Sequence, residues 1–166
     1  MLKKNKQTAV KSVGGHYAII ASKYNKRYVD AMLDAAKTCL EKAGAESIHI
    51  VRVPGAYEIP VVAARLARAH SPPLSAIICL GVILRGATTH AQHVGEAVSN
   101  TLSQLQGLHE VPIIHEVLLL ENEKQAKERC LSKDHNRGTE AAQTALEMAE
   151  VMRSLKQSEN RTGQSD

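Results

Sequence analysis

Two kinds of apolar pattern alternate along the middle of the chain. Runs of strand length, nearly continuous in apolar residues, fall at 16–22, 47–53, 75–81 and 111–119. Between and after them lie longer stretches whose apolar residues recur at spacings of three and four, as one face of a helix requires. In 26–43 these are Val29, Met32, Leu33, Ala36, Leu40 and Ala43, and after the turn at 53–56 they are Ile59, Val62, Ala63, Leu66 and Ala67. In 90–108 the inward positions are Val94, Ala97, Val98, Thr101, Leu102 and Leu105, and in 138–155 they are Ala141, Ala142, Ala145, Met148, Ala149 and Met152. A short helix at 122–130 completes the set. Strand runs alternating with helical stretches predict βαβ units, hence a four-stranded, mostly parallel sheet covered on both faces, a three-layer α/β/α sandwich. Asn25 is the expected N-cap of the first helix and Gly44 its C-terminal stop.

The ends break the pattern. Residues 1–14 are polar and rich in lysine, and 156–166 are polar throughout, so a basic arm and a tail are expected to flank one folded domain at 15–155. The longest apolar stretch, 113–120, is interrupted by His115 and Glu116 and falls far short of the about 20 residues of a membrane span. No apolar segment of signal-peptide type follows Lys3, Lys4 and Lys6, so a cytoplasmic protein is expected. The formal charge of +4 is carried by the arm, where Lys3, Lys4, Lys6 and Lys11 face no acid before residue 30. With no Phe, no Trp and four Tyr, the body lacks the basic face and stacking aromatics of a nucleic-acid binder. Cys39, Cys79 and Cys130 are odd in number and widely spaced, which indicates neither disulfides nor a zinc knuckle.

Ligands of such sheets bind beyond the carboxyl ends of the strands, and this rule selects the segments that matter. After the third strand comes Arg85-Gly86-Ala87-Thr88-Thr89-His90. Small residues joining a buried strand to a helix let backbone amides approach an anion at the helix N-terminus; a plain capping turn is the competing reading. His90, in the first helical turn, adds a group able to shuttle protons near neutral pH. Tyr24 and Tyr57 follow the first and second strands, where a phenol either stacks on a planar ligand or packs over the core rim. Glu58 either complements the helix dipole or accepts from ligand hydroxyls. Arg129 and Arg137 are candidate phosphate ligands. His90 and His93 share a helix face, but no Cys or carboxylate stands at a metal-site spacing around them, so no metal is expected.

Taken together, Val53-Pro-Gly-Ala-Tyr-Glu-Ile-Pro60, Gly81-Val-Ile-Leu-Arg-Gly-Ala-Thr-Thr-His90, and Gln125-Ala-Lys-Glu-Arg-Cys followed by Asn136-Arg-Gly-Thr-Glu-Ala-Ala142 resemble the lumazine synthase family, in register from about residue 16 to 152. The resemblance implies a flavodoxin-like fold and the condensation of 5-amino-6-(D-ribitylamino)uracil with 3,4-dihydroxy-2-butanone 4-phosphate to 6,7-dimethyl-8-ribityllumazine, phosphate and water. It implies no cofactor and no metal, and self-association as a pentamer or a multiple of it, with each site between two subunits. By position it makes Tyr24 the ring stacked on the pyrimidine and Ala56, Tyr57 and Glu58 the loop holding the ribityl chain. Val82, Ile83 and Leu84 become the strand end at the pyrimidine edge, Ala87 and Thr88 the phosphate cradle, His90 the acid/base, and Arg129 the phosphate ligand lent by the neighbour.

Three positions depart from the family pattern. His115 stands where Phe is usual, on the rim covering the pyrimidine from the adjacent subunit; Val82 stands where Thr is common; and Arg137 stands where Lys is frequent. Two rivals remain at this level. One is a non-catalytic flavin- or pyrimidine-binding or shell-forming homologue. The other is a phosphorelay receiver, which needs acids at strand ends that are missing after the first and third strands.

Overall fold

A computed structural model describes residues 14–162 of the chain. Four strands, β1 (His16–Ser22), β2 (Ser47–Val53), β3 (Ala76–Leu84) and β4 (Ile113–Leu120), form one sheet in the order β2-β1-β3-β4. All three pairings are parallel. The helices are α1 (Lys26–Lys42), α2 (Ile59–Ala69), α3 (His90–His109), α4 (Glu123–Cys130) and α5 (Arg137–Thr162), and a single 3-10 turn at Ala56–Glu58 leads into α2. This is the expected flavodoxin-like three-layer sandwich with its four-stranded parallel sheet. The chain leaves β1 toward one edge and returns to β3 on the other side, so the strand order reverses between β1 and β3. At that reversal the loops beyond the strand ends diverge and leave a crevice.

Each face of the sheet has its own core. Tyr17, Ile19 and Ala21 of β1 with Ile78 and Leu80 of β3 pack under α1 and α5, against Met32, Leu40, Ala142 and Leu146. Ala18 and Ile20 of β1 with Ile77 and Cys79 of β3 pack under α2 and α3, against Ile59, Ala63, Val98 and Leu102. Two-sided burial is why β1 and β3 are apolar at nearly every position. Removing an isoleucine side chain from water contributes about 2 kcal/mol, so these two strands anchor the fold.

Local chemistry sets the boundaries, and some differ from expectation. Gly44, at φ +78°, ends α1 as foreseen: its N–H reaches the Glu41 carbonyl (3.0 Å) and that of Ala45 the Leu40 carbonyl (3.1 Å), a Schellman closure. Asn25 holds the N-cap position of α1, its carbonyl accepting from the Tyr28 N–H (3.0 Å), but its side chain does not cap the helix. It sits in the left-handed region at φ +53° and makes no side-chain bond to the helix. Instead its Nδ2 donates to the Val82 carbonyl at 2.8 Å, tying the loop after β1 to the end of β3. β3 continues past Gly81 because β4 pairs with it through Val82, Ile83 and Leu84, which are strand residues and not loop. α5 runs beyond Leu155 to Thr162, since neither Gly nor Pro interrupts the sequence between Gly138 and Gly163, so the start of the expected tail is helical. The expected arm lies, except for Gly14, outside the described residues.

Gly138 explains how α5 docks on α1. A Cβ there would fall 1.9 Å from the Met32 carbonyl oxygen, a backbone atom that cannot move aside. Next to it, Asn136 donates to the Cys130 carbonyl (2.6 Å) and accepts from the Gly138 N–H (2.8 Å). The turn between α4 and α5 is thereby fixed, and with it the direction of Arg137. Among the described residues no helix is long and apolar enough to cross a membrane.

Candidate active site

The loops after β1 and β2 are joined by backbone bonds before any side chain is considered. Lys23 N–H donates to the Val53 carbonyl (2.8 Å) and Tyr24 N–H to the Pro54 carbonyl (3.3 Å). Arg52 strengthens the same junction, bonding Asp30 of α1 through Nη1 and the Ser22 carbonyl through Nη2. Gly55 lies where the loops meet. A Cβ on it would come within 2.9 Å of Glu58 Oε2 and 3.5 Å of the Tyr24 ring, so glycine lets the Glu58 carboxylate sit here without shifting. Glu58 Oε2 accepts from the Gly55 N–H at 2.8 Å, which fixes the carboxylate and leaves Oε1 directed elsewhere. Tyr24 and Tyr57 are 72% and 64% exposed, and the reading of these rings as packing over the core rim falls away.

Beyond β3, the Gly86 turn is open: a Cβ there would meet nothing within 4 Å. Thr89, at the start of α3, makes no side-chain cap bond, and Thr88 Oγ1 receives only a long contact from the His90 N–H (3.4 Å). The ordinary capping turn is therefore not built, and the first amides of the helix stay available to an anion. Arg85 is engaged sideways with Glu121 (3.0 Å), across the ends of β3 and β4.

A cleft of about 500 Å³ opens between the 3-10 turn and α3, lined by Tyr57, Glu58, His90, His93, Val94 and Ala97. It brings Tyr57, Glu58 and His90 together, with Tyr24 next to them over Gly55. His93, weighed from the sequence only as a metal ligand, lines the same wall, as its spacing of three from His90 on one helix face requires. Among the described residues no three His, Cys, Asp or Glu side chains gather as metal ligands.

The strand end after β3 presents backbone more than side chain. Val82 is buried in the α1/α5 core and its carbonyl is taken by Asn25, so a hydroxyl at position 82 would point away from the cleft. Ile83 and Leu84 are half-buried, packed toward opposite faces of the sheet.

The residues expected on and beyond β4 do not line this cleft. His115 is held by α3: its Nε2 lies 2.7 Å from Ser99 Oγ, and its Nδ1 is 3.3 Å from the Val117 N–H. Burial lowers the pKa of this imidazole. Arg129 is exposed on α4 and forms no ion pair among the described residues. Arg137 has an immediate partner other than the phosphate foreseen for it. It grips Glu116 through Nε (3.0 Å) and Nη2 (2.8 Å), and Glu140 through Nη1 (2.6 Å). Burial pushes the Glu116 carboxyl above the usual carboxylate range and Arg137 draws it part of the way back. Burial opposes the charge on Arg137, but its pairing with Glu116 and Glu140 together outweighs that and raises its pKa. In the sequence Glu116 shows only as a carboxylate interrupting an apolar strand, with nothing local to name Arg137 as its partner.

A model of the 6,7-dimethyl-8-ribityllumazine synthase family matches residues 14–153, which include every residue of this rim. The chain is 39% identical over 145 residues to the 6,7-dimethyl-8-ribityllumazine synthase of Aquifex aeolicus (strain VF5), covering 86% of this chain and 93% of that protein. It is 40% identical over 148 residues to the protein of the same name from Desulfotalea psychrophila (strain LSv54 / DSM 12343), covering 88% and 94%. With that from Clostridium kluyveri (strain NBRC 12016) the identity is 37% over 144 residues, 86% and 92% of the two chains. A family match over nearly the whole folded body, with relatives 37–40% identical along most of both chains, makes this chain a member of the lumazine synthase family, transferases of riboflavin biosynthesis.

Proposed function

We propose that this chain condenses 5-amino-6-(D-ribitylamino)uracil with 3,4-dihydroxy-2-butanone 4-phosphate, releasing 6,7-dimethyl-8-ribityllumazine, phosphate and water. The observation that carries the reading is the meeting of Tyr57, Glu58 and His90 in one cleft, beside the exposed ring of Tyr24. Tyr24 stacks on the pyrimidine. The Ala56–Glu58 turn receives the ribityl chain, whose hydroxyls find acceptors at Glu58 and along the backbone. The open turn at Ala87 and Thr88 takes the phosphate at the N-terminus of α3, where unpaired amides favour an anion.

The amine of the uracil attacks the butanone carbonyl and a first water leaves as the Schiff base forms. Loss of a C3 proton and of phosphate from C4 leaves an enol, which tautomerises to a methyl ketone, and attack of the ribityl-bearing nitrogen on this new carbonyl closes the ring with loss of another water. Every step moves a proton between nitrogen, oxygen or carbon, and His90 stands next to the phosphate turn to carry it. Holding two reactive substrates together supplies much of the remaining acceleration.

His115 and Arg129 lie outside the cleft of their own subunit, which fits a site completed by a neighbour in a pentamer or a multiple of it. On this reading Arg129 meets the phosphate, and Arg137 stabilises the turn behind it. The work belongs in the cytoplasm, and no cofactor enters. The test is direct: purified protein given both substrates forms lumazine well above the rate of the uncatalysed solution reaction. Equal rates, with or without tight binding of riboflavin, would reject the proposal.

A further inference from the structure

His115 is the clearest departure from the family pattern on this rim, and its surroundings determine its proton. Ser99 Oγ lies 2.8 Å from the Gly95 carbonyl, which can only accept, so the one hydroxyl proton is committed there. At the 2.7 Å contact with His115 the hydroxyl must then accept, which puts a proton on Nε2. At the other end of the ring the Val117 N–H points at Nδ1 and requires a lone pair there. A second proton would set Nδ1–H against N–H. Both nitrogens are thus satisfied by one neutral tautomer.

Among the described residues no nearby charge opposes this arrangement. Cys79, in register with His115 on β3, is kept protonated by burial. Glu96, one turn before Ser99 on α3, accepts from Gln92 (2.8 Å) and makes no bond to the imidazole. Glu116, the next residue of β4, belongs to Arg137 on the opposite face of the sheet.

We propose that His115 is an aromatic plate of fixed orientation and fixed neutral charge, with Ser99 as its positioning residue, and that through it a subunit presents an uncharged ring to the pyrimidine bound on its neighbour. The role toward the pyrimidine rests on the function proposed above; the lock itself does not. An imidazole free to titrate near neutral pH would present a cation to the substrate over part of the working range. The bonded one presents the same face throughout, as a phenylalanine does. The lowered pKa agrees with the geometry.

Nitrogen-15 NMR of the unliganded, histidine-labelled protein reads the tautomer directly. His115 is expected as Nε2–H, without titration from about pH 5.5 to 8, whereas in Ser99→Ala it titrates near the ordinary histidine value of about 6.5. In turnover, Ser99→Ala is expected to raise KM for the uracil substrate by about threefold to tenfold below about pH 6.5, the size of one lost ring contact, with kcat unchanged. Adding His115→Phe to that variant should return KM to pH independence. A wild-type His115 protonated on Nδ1, or cationic at about pH 6.5, overturns the lock. A locked ring whose removal in His115→Ala leaves KM unchanged overturns its role toward the pyrimidine, while wild-type turnover still stands for the cleft. If the wild type makes no lumazine, the role toward the pyrimidine fails with the proposed function, and the NMR result decides the lock independently.

Discussion

The rim after β1, β2 and β3 and the rim after β4 use polar residues in opposite ways. Around the cleft, the side chains of Tyr24, Tyr57, His90 and His93 make no hydrogen bond among the described residues, and the two tyrosines stand mostly in solvent. On β4 and in the segment that follows it, His115 is bonded at both ring nitrogens, and Arg137 and Glu116 hold each other in a bidentate pair with Glu140 alongside. A folded chain normally satisfies its polar groups internally when they are buried. Groups left without internal partners beside a cleft keep their bonding capacity for a ligand. The two arginines repeat the contrast at short range, Arg129 exposed and unpaired and Arg137 fully occupied.

If the contrast is sound, substitutions on the two rims fail in different ways. The largest effect is expected from Arg137→Met. It leaves Glu116, 6% exposed, without its partner, and a buried charge stripped of its counterion costs about 3 kcal/mol. A lower urea midpoint with unchanged slope would report this, and adding Glu116→Gln should recover most of it. His90→Ala is expected to do the reverse. It lowers kcat by about ten- to a hundredfold, at the lower end of acid/base contributions because the reactants are intrinsically reactive, while the melting temperature stays within a degree or two. An unchanged rate would remove His90 from the mechanism. Arg129→Ala should raise KM for the butanone phosphate about tenfold, as loss of one charge-assisted contact, with stability unaltered because no internal partner is lost.

The smallest effect concerns pH. The imidazole of His115 has its pKa lowered in the fold, so between that value and about 6.5 the unfolded chain binds the proton more readily than the folded one. Stability therefore rises with pH through this window, is fully present above it and is lost as pH falls. His115→Phe should flatten that part of the stability profile between about pH 5 and 7. A profile parallel to wild type would mean that His115 titrates alike in both states.

The same division governs what could be read from the sequence. β1, α1, α2, α3 and the segment that carries His90 were legible because period and turn chemistry are local. The extension of β3 through Leu84 was not, since it follows from pairing with β4 about 36 residues on. Asn25 had the composition of a cap, and only the fold shows that the Val82 carbonyl lies within its reach. Arg137 had the charge of a phosphate ligand, and only the fold shows Glu116 beneath it. The cleft residues were easier to find than the bonded ones because an unpartnered functional group needs nothing from distant sequence to be recognised.

The central claim is that the free cleft of one subunit is completed by Arg129 and His115 of the next, and mixing two impaired proteins tests it most directly. His90→Ala and Arg129→Ala chains, unfolded together in equal amounts, refolded and assayed well below KM for the butanone phosphate, where each variant alone has at most about a tenth of the wild-type rate, should recover lumazine formation at about a quarter of the wild-type rate. Random assembly leaves that share of sites with an intact His90 on one side and an intact Arg129 on the other. Activity no greater than the average of the two variants assayed alone would contradict a site shared between subunits.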